Sequence, residues 1–284
     1  MIRASKIIGW LLLTFLTLQT ACGGALSSGR ARTALPHAST GFNLFSPEQD
    51  IQLGEASAEE IMRQVVVLHD ERTEAYVQRL GERVAARAPG YKFPYRFIVV
   101  ASPEVNAFAL PGGYVFVNEG AIEAARTESE LAGVLAHEIA HVSLRHGTTQ
   151  ASRAYLARTA VDVLNTVAGV SHGDFWRVAA AAGGASANRF FLRSNRAAEL
   201  QADAEGARLL AETGFDPRDM ANFFERLDER EGVRASVDAA GDHPEPASRV
   251  EAIGQVIAAL GQTPKRTRDS EEFRRIKSRL SNSR

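Results

Sequence analysis

The sequence predicts an α+β chain, mostly helical, with one small sheet set beside a central helix. Three observations carry this reading. Leu131 to His146, LAGVLAHEIAHVSLRH, places apolar Leu131, Val134, Leu135, Ile139, Val142 and Leu144 at helical spacing, with no Pro or Gly from Val134 to His146. β-Branched and aromatic residues gather between Tyr95 and Asn118, around a Pro-Gly-Gly turn. On either side of these two stretches, apolar residues recur at three-to-four-residue spacing behind recognisable helix starts.

The chain has 284 residues, enough for one large domain or two small ones. Its composition, 45% hydrophobic and 24% charged, is that of a globular protein. A net charge of -1 without a large basic block leaves no reason to expect a nucleic-acid partner.

Residues 1–21 read as a lipoprotein signal peptide. Arg3 and Lys6 make its positive start, and Ile7 to Leu18 is an apolar run of 12 residues, too short to span a bilayer comfortably. Thr20-Ala21 then precede Cys22, the pattern of a bacterial lipoprotein cleavage site, with Gln19 where an aliphatic residue is usual. Plain secretion with cleavage nearby is the alternative. Cys22 is the only cysteine, so no intrachain disulfide and no second thiolate ligand exist; lipidation would explain why it is kept. Residues 22–43, rich in Gly, Ser, Ala, Thr and Arg, read as a flexible tether with a solvated His37, and 44–284 as the folded domain.

The elements of that domain follow in order. Ser46-Pro47-Glu48 starts a helix that runs to about Val67. A second, near Thr73 to Ala88, carries Tyr76, Val77, Leu80 and Val84, with a solvated or structural His69 before it. Tyr95 to Ala101 reads as a strand, and Asn106 to Leu110 and Tyr114 to Asn118 as a hairpin around Pro111-Gly112-Gly113. This is either a plain antiparallel sheet capping the helices or a sheet whose edge, Asn106, Ala107, Phe108 and Ala109, pairs with an extended peptide. A short helical piece, Ala121 to Ala125, leads to Thr127-Glu128-Ser129-Glu130, a capping box that opens the central helix. Gly147 is expected to stop that helix, with His146 as a cation in its last turn. Ala151 to Val170 and Phe175 to Ala182, separated near His172 and closed by Gly183-Gly184, read as a core helical hairpin, a lid or a membrane-facing segment. Asn195 to Thr213 is a helix ended by Gly214, and Asp216-Pro217 starts another with Met220, Phe223, Phe224 and Leu227 on one face. A helix from Pro246 or Ala247 to Ala259, a loose basic stretch from Thr263 to Arg268 and a closing helix from Ser270 to Leu280 complete the chain.

The chemistry concentrates in His137-Glu138-Ile139-Ala140-His141. Residues four apart on a helix share a face, about 6 Å apart at Cβ, so two imidazoles there converge on one metal ion, most often Zn²⁺. Glu138 is placed to reach a water on the metal without binding it, as a general base does. The bland reading is a surface helix with two histidines and a glutamate. Glu199 and Asp203 also share a helical face, in the alanine-rich run AAELQADA. Two acids on one face usually point to solvent; here Glu199 can serve as third ligand, and Asp203 can hold a ligand histidine by its other ring N–H.

NAFALPGGYVFVNEG (106–120), HEIAH (137–141), SNRAAELQADAEG (194–206) and DHPEPASR (242–249) together resemble the metallopeptidase family of HtpX, Oma-type and CAAX prenyl proteases (peptidase family M48), and within it the exported bacterial lipoproteins of the BepA and LoiP types. The resemblance covers about residues 45–280. It does not include the membrane-spanning helices of the HtpX and CAAX branches or the repeat-bearing C-terminal extension of the BepA type, so docking to outer-membrane assembly machinery is not among its implications. It implies a zincin-like (gluzincin) fold, one Zn²⁺ per chain on His137, His141 and Glu199, Glu138 as base, Asp203 in support and the Asn106 to Ala109 edge as substrate-binding. It further implies that His243 occupies the fourth metal position in a resting state, against the bland reading of a helix-entry loop, and that Arg249 orients that loop or meets the substrate carbonyl. The expected activity is that of a zinc-dependent endopeptidase, lipid-anchored through Cys22 in the periplasm at the outer membrane. Its substrates would be misfolded or misassembled envelope polypeptides. The rivals are a chaperone-like lipoprotein with a latent zinc site and a structural lipoprotein with a closed one.

Overall fold

The computed structural model describes residues 41–165, 195–231, 246–261 and 266–282. Cys22, His37, His172, the segment from Phe175 to Gly184 and the His243 loop lie outside the described residues.

Helix α1 (Pro47–Gln64) begins as its sequence predicts: the Ser46 hydroxyl accepts from the Gln49 N–H at 3.3 Å, and the Gln49 side chain accepts from the Ser46 N–H at 2.8 Å. Helix α2 (Glu71–Ala85) follows, then β1 (Arg96–Val100), β2 (Ala107–Ala109), a 3₁₀ turn at Pro111–Gly113 and β3 (Tyr114–Asn118). The three strands form one sheet in the order β1-β3-β2. β2 and β3 make the expected antiparallel hairpin, with Phe108 opposite Phe116. The sheet is not purely antiparallel, however: β1 pairs parallel with β3, Arg96 opposite Tyr114 and Val100 opposite Asn118. Parallel pairing goes with burial of both faces, and every residue of β3 is buried. Alternation sorts the side chains. Phe97, Val99, Val115 and Val117 join the main core, whereas Val100, Tyr114 and Phe116 form a second cluster with Ala58 and Ile61 of α1. α1 reaches the sheet through the turn. A Cβ on Gly54 would stand 1.8 Å from the Pro111 carbonyl oxygen, and Gly112, at φ +80°, has the Ile51 Cα 2.5 Å from where a Cβ would be. Only glycine permits that approach.

Helices α3 (Glu119–Ala124), α4 (Glu128–Ser143), α5 (His146–Asn165), α6 (Arg196–Thr213), α7 (Pro217–Glu231), α8 (Pro246–Leu260) and α9 (Glu271–Asn282) complete the fold. Among the described residues, no helix is long and apolar enough to cross a membrane. α4 is the centre: every residue from Glu128 to Ser143 except His141 is buried. A helix apolar all round belongs inside, and Leu131, Leu135 and Ile139 pack with Leu80 of α2, Leu209 of α6, Met220 of α7, Ile253 of α8 and Phe273 of α9 in one core. Its first turn is tied down by polar contacts. Thr127 caps the Glu130 N–H at 3.2 Å, while the Glu130 carboxylate takes the Arg126 N–H at 2.6 Å and an ion pair with Arg226, rather than closing the reciprocal half of a capping box. The buried Glu128 carboxylate accepts from the Tyr76 hydroxyl at 3.0 Å and from Ser270 at 2.9 Å.

Two local expectations are corrected. The stretch before α9 is not loose at its end: the Thr267 N–H donates to the Gly214 carbonyl at 2.9 Å, and the Arg268 carbonyl accepts from the Ser129 N–H at 2.9 Å. These contacts satisfy backbone groups at the ends of α6 and α4. And α4 stops at Ser143, before Gly147. Arg145 adopts the left-handed conformation, φ +57°, and α5 begins at His146. A left-handed arginine is costly. Here its side chain over-determines it, donating to the Asp50 carboxylate at 2.6 and 3.0 Å and to the Phe45 carbonyl at 2.5 Å.

Candidate metal centre

The centre is built where α4 crosses α6. Small residues, Ala136 and Ala140 on one helix and Ala198, Ala202 and Gly206 on the other, let the backbones approach closely. A Cβ on Gly206 would already lie 3.2 Å from the His137 backbone nitrogen. Asn195 caps α6 by accepting the Ala198 N–H at 3.0 Å, which fixes where the first turn and Glu199 sit.

This crossing gathers His137, His141 and Glu199, the cluster able to hold a metal ion among the described residues. His137 Nε2 and His141 Nε2 are 3.0 Å apart. Glu199 Oε2 is 3.3 Å from His137 Nε2, and Glu199 Oε1 is 3.3 Å from His141 Nε2. Three ligand atoms around a tetrahedral ion, each about 2.0–2.1 Å from it, would be about 3.3 Å apart. The donor set therefore fits a small divalent metal ion, with both histidines offering the same ring nitrogen. His137 and Glu199 are fully buried, while the His141 side chain keeps 13% of its surface exposed and marks the open side. Glu138 follows His137 on the same helix and is buried; its charge acts on His141 and on Arg249.

Each histidine is held from behind through its other nitrogen. His137 Nδ1 lies 2.9 Å from Asp203 Oδ1, where the ring N–H donates to the carboxylate. Asp203 in turn accepts from Arg249 Nε at 2.9 Å and from its terminal nitrogen at 2.8 Å. Arg249 is buried and stacks 3.7 Å over the Phe224 ring. The structure thus turns the Arg249 guanidinium onto Asp203. Burial works against a charge on His137, and Arg249 does too. The bonds to Asp203 and Glu199 outweigh both and push His137 up to about 9. Burial also works against ionised Asp203, yet His137 and Arg249 hold it down to about 2. His141 goes the other way, lowered chiefly by burial.

His141 Nδ1 meets His146 Nδ1 at 3.0 Å, and His146 Nε2 meets Gln201 Oε1 of α6 at 3.2 Å. His146 is therefore not a last-turn cation of α4. It follows that helix after Leu144 and the left-handed Arg145 and folds back onto His141, and burial together with His141 pushes it down to about 3. Periodicity along α4 missed this contact because it assumed the helix continued. The Arg145-His146 pair, four and five residues after the second histidine, was the available signal.

The expected peptide-binding edge belongs to β2, which packs against α4. Ala107, Phe108 and Ala109 form β2 at the edge of the sheet, with Ala107 and Ala109 toward the core that contains α4, and the Asn106 carbonyl accepts the Asn118 N–H at 3.0 Å.

Comparison with known proteins bears on the same span. Residues 71–257 match the description of peptidase family M48, a stretch that includes every member of the cluster. A Vibrio cholerae protein provisionally named a beta-barrel assembly-enhancing protease is 34% identical over 210 residues, 72% of this chain and 43% of its own length. The Yersinia pestis beta-barrel assembly-enhancing protease is 30% identical over 251 residues, 86% of this chain and 52% of its own. The mitochondrial metalloendopeptidase OMA1 of Schizosaccharomyces pombe is 31% identical over 191 residues, 64% of this chain and 52% of its own. The chain spans about half the length of these curated relatives. With His137, His141, Glu199, Asp203 and Arg249 all inside the matched stretch, the chain belongs to peptidase family M48.

Proposed function

We propose that this chain is a zinc-dependent endopeptidase of the bacterial cell envelope, acting on misfolded or misassembled polypeptides. The observation that carries the reading is the convergence of His137 Nε2, His141 Nε2 and a Glu199 carboxylate within 3.3 Å of one another beside a buried Glu138. His137, His141 and Glu199 would hold Zn²⁺, which would supply a Lewis acid for the scissile carbonyl and lower the pKa of water. Glu138 takes the proton of the attacking water and delivers it to the leaving amine. Asp203 keeps His137 in the tautomer that presents Nε2, and Arg249 keeps Asp203 ionised and in place. The edge of β2, Asn106 to Ala109, offers its backbone to an extended substrate, which explains how a site for many sequences can grip by main chain alone.

The decisive experiment is cleavage of an unfolded polypeptide such as casein, with bound metal measured in parallel. Cleavage that stops with a chelator and returns with Zn²⁺ is expected. A stoichiometric metal without cleavage would favour a chaperone-like or structural role and overturn the reading. His243, just before α8 in the sequence, is proposed as the resting-state fourth ligand. Faster cleavage by His243→Ala is its test, and an unchanged rate speaks against it.

The relatives named for beta-barrel assembly and the leader-like first 21 residues support an envelope location. Lipidation at Cys22 is part of the same proposal. Cys22→Ser is expected to move the processed protein from the membrane to the soluble periplasmic fraction. A processed mutant that stays with the outer membrane would show that something other than lipid at Cys22 holds it there.

A further inference from the structure

We infer that His146 and Gln201 form a hydrogen-bonded support that fixes the ring orientation and tautomer of His141, so that His146 is a positioning residue of the metal centre. The inference rests on the reading of His141 as a metal ligand and extends it to two residues not otherwise assigned.

The argument is one of donors and acceptors. His141 presents Nε2 to the cluster, since that nitrogen lies 3.0 Å from His137 Nε2 and 3.3 Å from Glu199. A nitrogen that binds a cation offers a lone pair, so the ring proton of a neutral His141 is on Nδ1. That N–H faces His146 Nδ1 at 3.0 Å. Two N–H groups cannot face each other at that distance, so His146 Nδ1 is an acceptor and the His146 proton is on Nε2. There it meets an acceptor, Gln201 Oε1, at 3.2 Å. Each link thus has one proton and one lone pair, and the chain runs His141 to His146 to Gln201. The rings are 4.9 Å apart and nearly perpendicular, at 78°, as an in-plane N–H···N bond between two side chains of different helices allows.

Three parts of the fold aim His146. α4 ends at Ser143, Arg145 turns the chain left-handed, and the Arg145 guanidinium is bound by Asp50 of α1 at 2.6 Å. His146 then opens α5 with its ring over the last turn of α4. The two metal histidines are consequently supported in different ways. A carboxylate backed by an arginine holds His137, whereas a neutral imidazole backed by an amide holds His141, on the exposed side of the centre. A carboxylate adds charge to its histidine; a neutral acceptor fixes orientation without it.

The test reads tautomers and metal affinity rather than turnover. In the zinc-loaded, otherwise unaltered protein, nitrogen-15 spectra of the histidine rings are expected to show His141 protonated on Nδ1 and His146 protonated on Nε2 alone. His146 protonated on Nδ1 would overturn the inference whatever any variant does. Zinc affinity is then measured by chelator competition. His146→Phe, which keeps an aromatic ring but no acceptor, is expected to weaken it about 10–100-fold, the usual effect of losing such a partner. His146→Asn, whose Oδ1 can take the place of Nδ1, is expected to restore most of it. Glu199→Ala run alongside separates the two levels. If it loses zinc while His146→Phe binds as the unaltered protein does, the positioning role fails and the metal site stands. If all three bind normally, the metal-site reading itself fails.

Discussion

Glu138→Gln is expected to keep stoichiometric zinc while cleavage of an unfolded polypeptide falls by about 10²–10⁴-fold, the range supplied by a positioned proton-transfer group. The substitution preserves size and hydrogen bonding but cannot take up a proton. Glu138 is buried on the central helix, next to His137, and packing around it is close. An isosteric amide disturbs that packing least, so metal content and melting temperature should stay near those of the unaltered protein. The measurement is cleavage rate at saturating substrate, with bound zinc determined on the same sample. Activity within about tenfold of the unaltered protein would remove Glu138 from the proton-transfer role.

Glu199→Ala is expected to abolish tight metal binding, a larger effect than the about 10–100-fold weakening expected of Asp203→Ala. Glu199 supplies one of three atoms that converge at the centre; Asp203 acts through His137 Nδ1 at 2.9 Å. The two also differ in their dependence on pH. Without metal, His137 is pushed up to about 9, mainly because Asp203 and Glu199 favour its charged form against burial. A metal must displace that proton, so apparent affinity should rise by about tenfold per pH unit from pH 7 toward 9 and then level off. Removing Asp203 removes the strongest partner of that proton, so Asp203→Ala should bind more weakly at pH 9 and show a shallower slope below it. The sign for folding is opposite. The raised His137 value stabilises the metal-free chain below the ordinary histidine range, and this contribution is lost as pH rises through about 9. Metal-free protein should therefore melt earlier at pH 9 than at pH 7, and zinc-loaded protein should not. Chelator titrations and melting curves across that range decide both points. An unchanged affinity in Glu199→Ala would show that the third ligand lies elsewhere.

Much of this was legible in the sequence because it depends on short range. His137 and His141 share a face through helix geometry alone, and so do Glu199 and Asp203. The helix starts at Ser46, Thr127 and Asn195 and the stop at Gly214 follow from side chains and backbone within a few residues, and all four are found in place. β-Branched and aromatic residues on either side of a Pro-Gly-Gly turn are enough for the β2–β3 hairpin. Alanines and a glycine on α4 and α6 hint at a close crossing, but not at which residues meet.

What tertiary structure alone decided involves partners far apart in the chain. β1 runs parallel to β3 with α1 covering the second face of the sheet, an arrangement that no pattern within residues 95–118 specifies. α4 ends at Ser143 because Asp50, on α1, holds Arg145 in a conformation that arginine disfavours alone. That turn brings His146 onto His141, and Arg249 reaches Asp203 only because α8 packs across α6. Local sequence determines which residues a helix presents together. Which helices meet, and through which of those faces, is settled by how the buried surfaces of the whole chain fit one another.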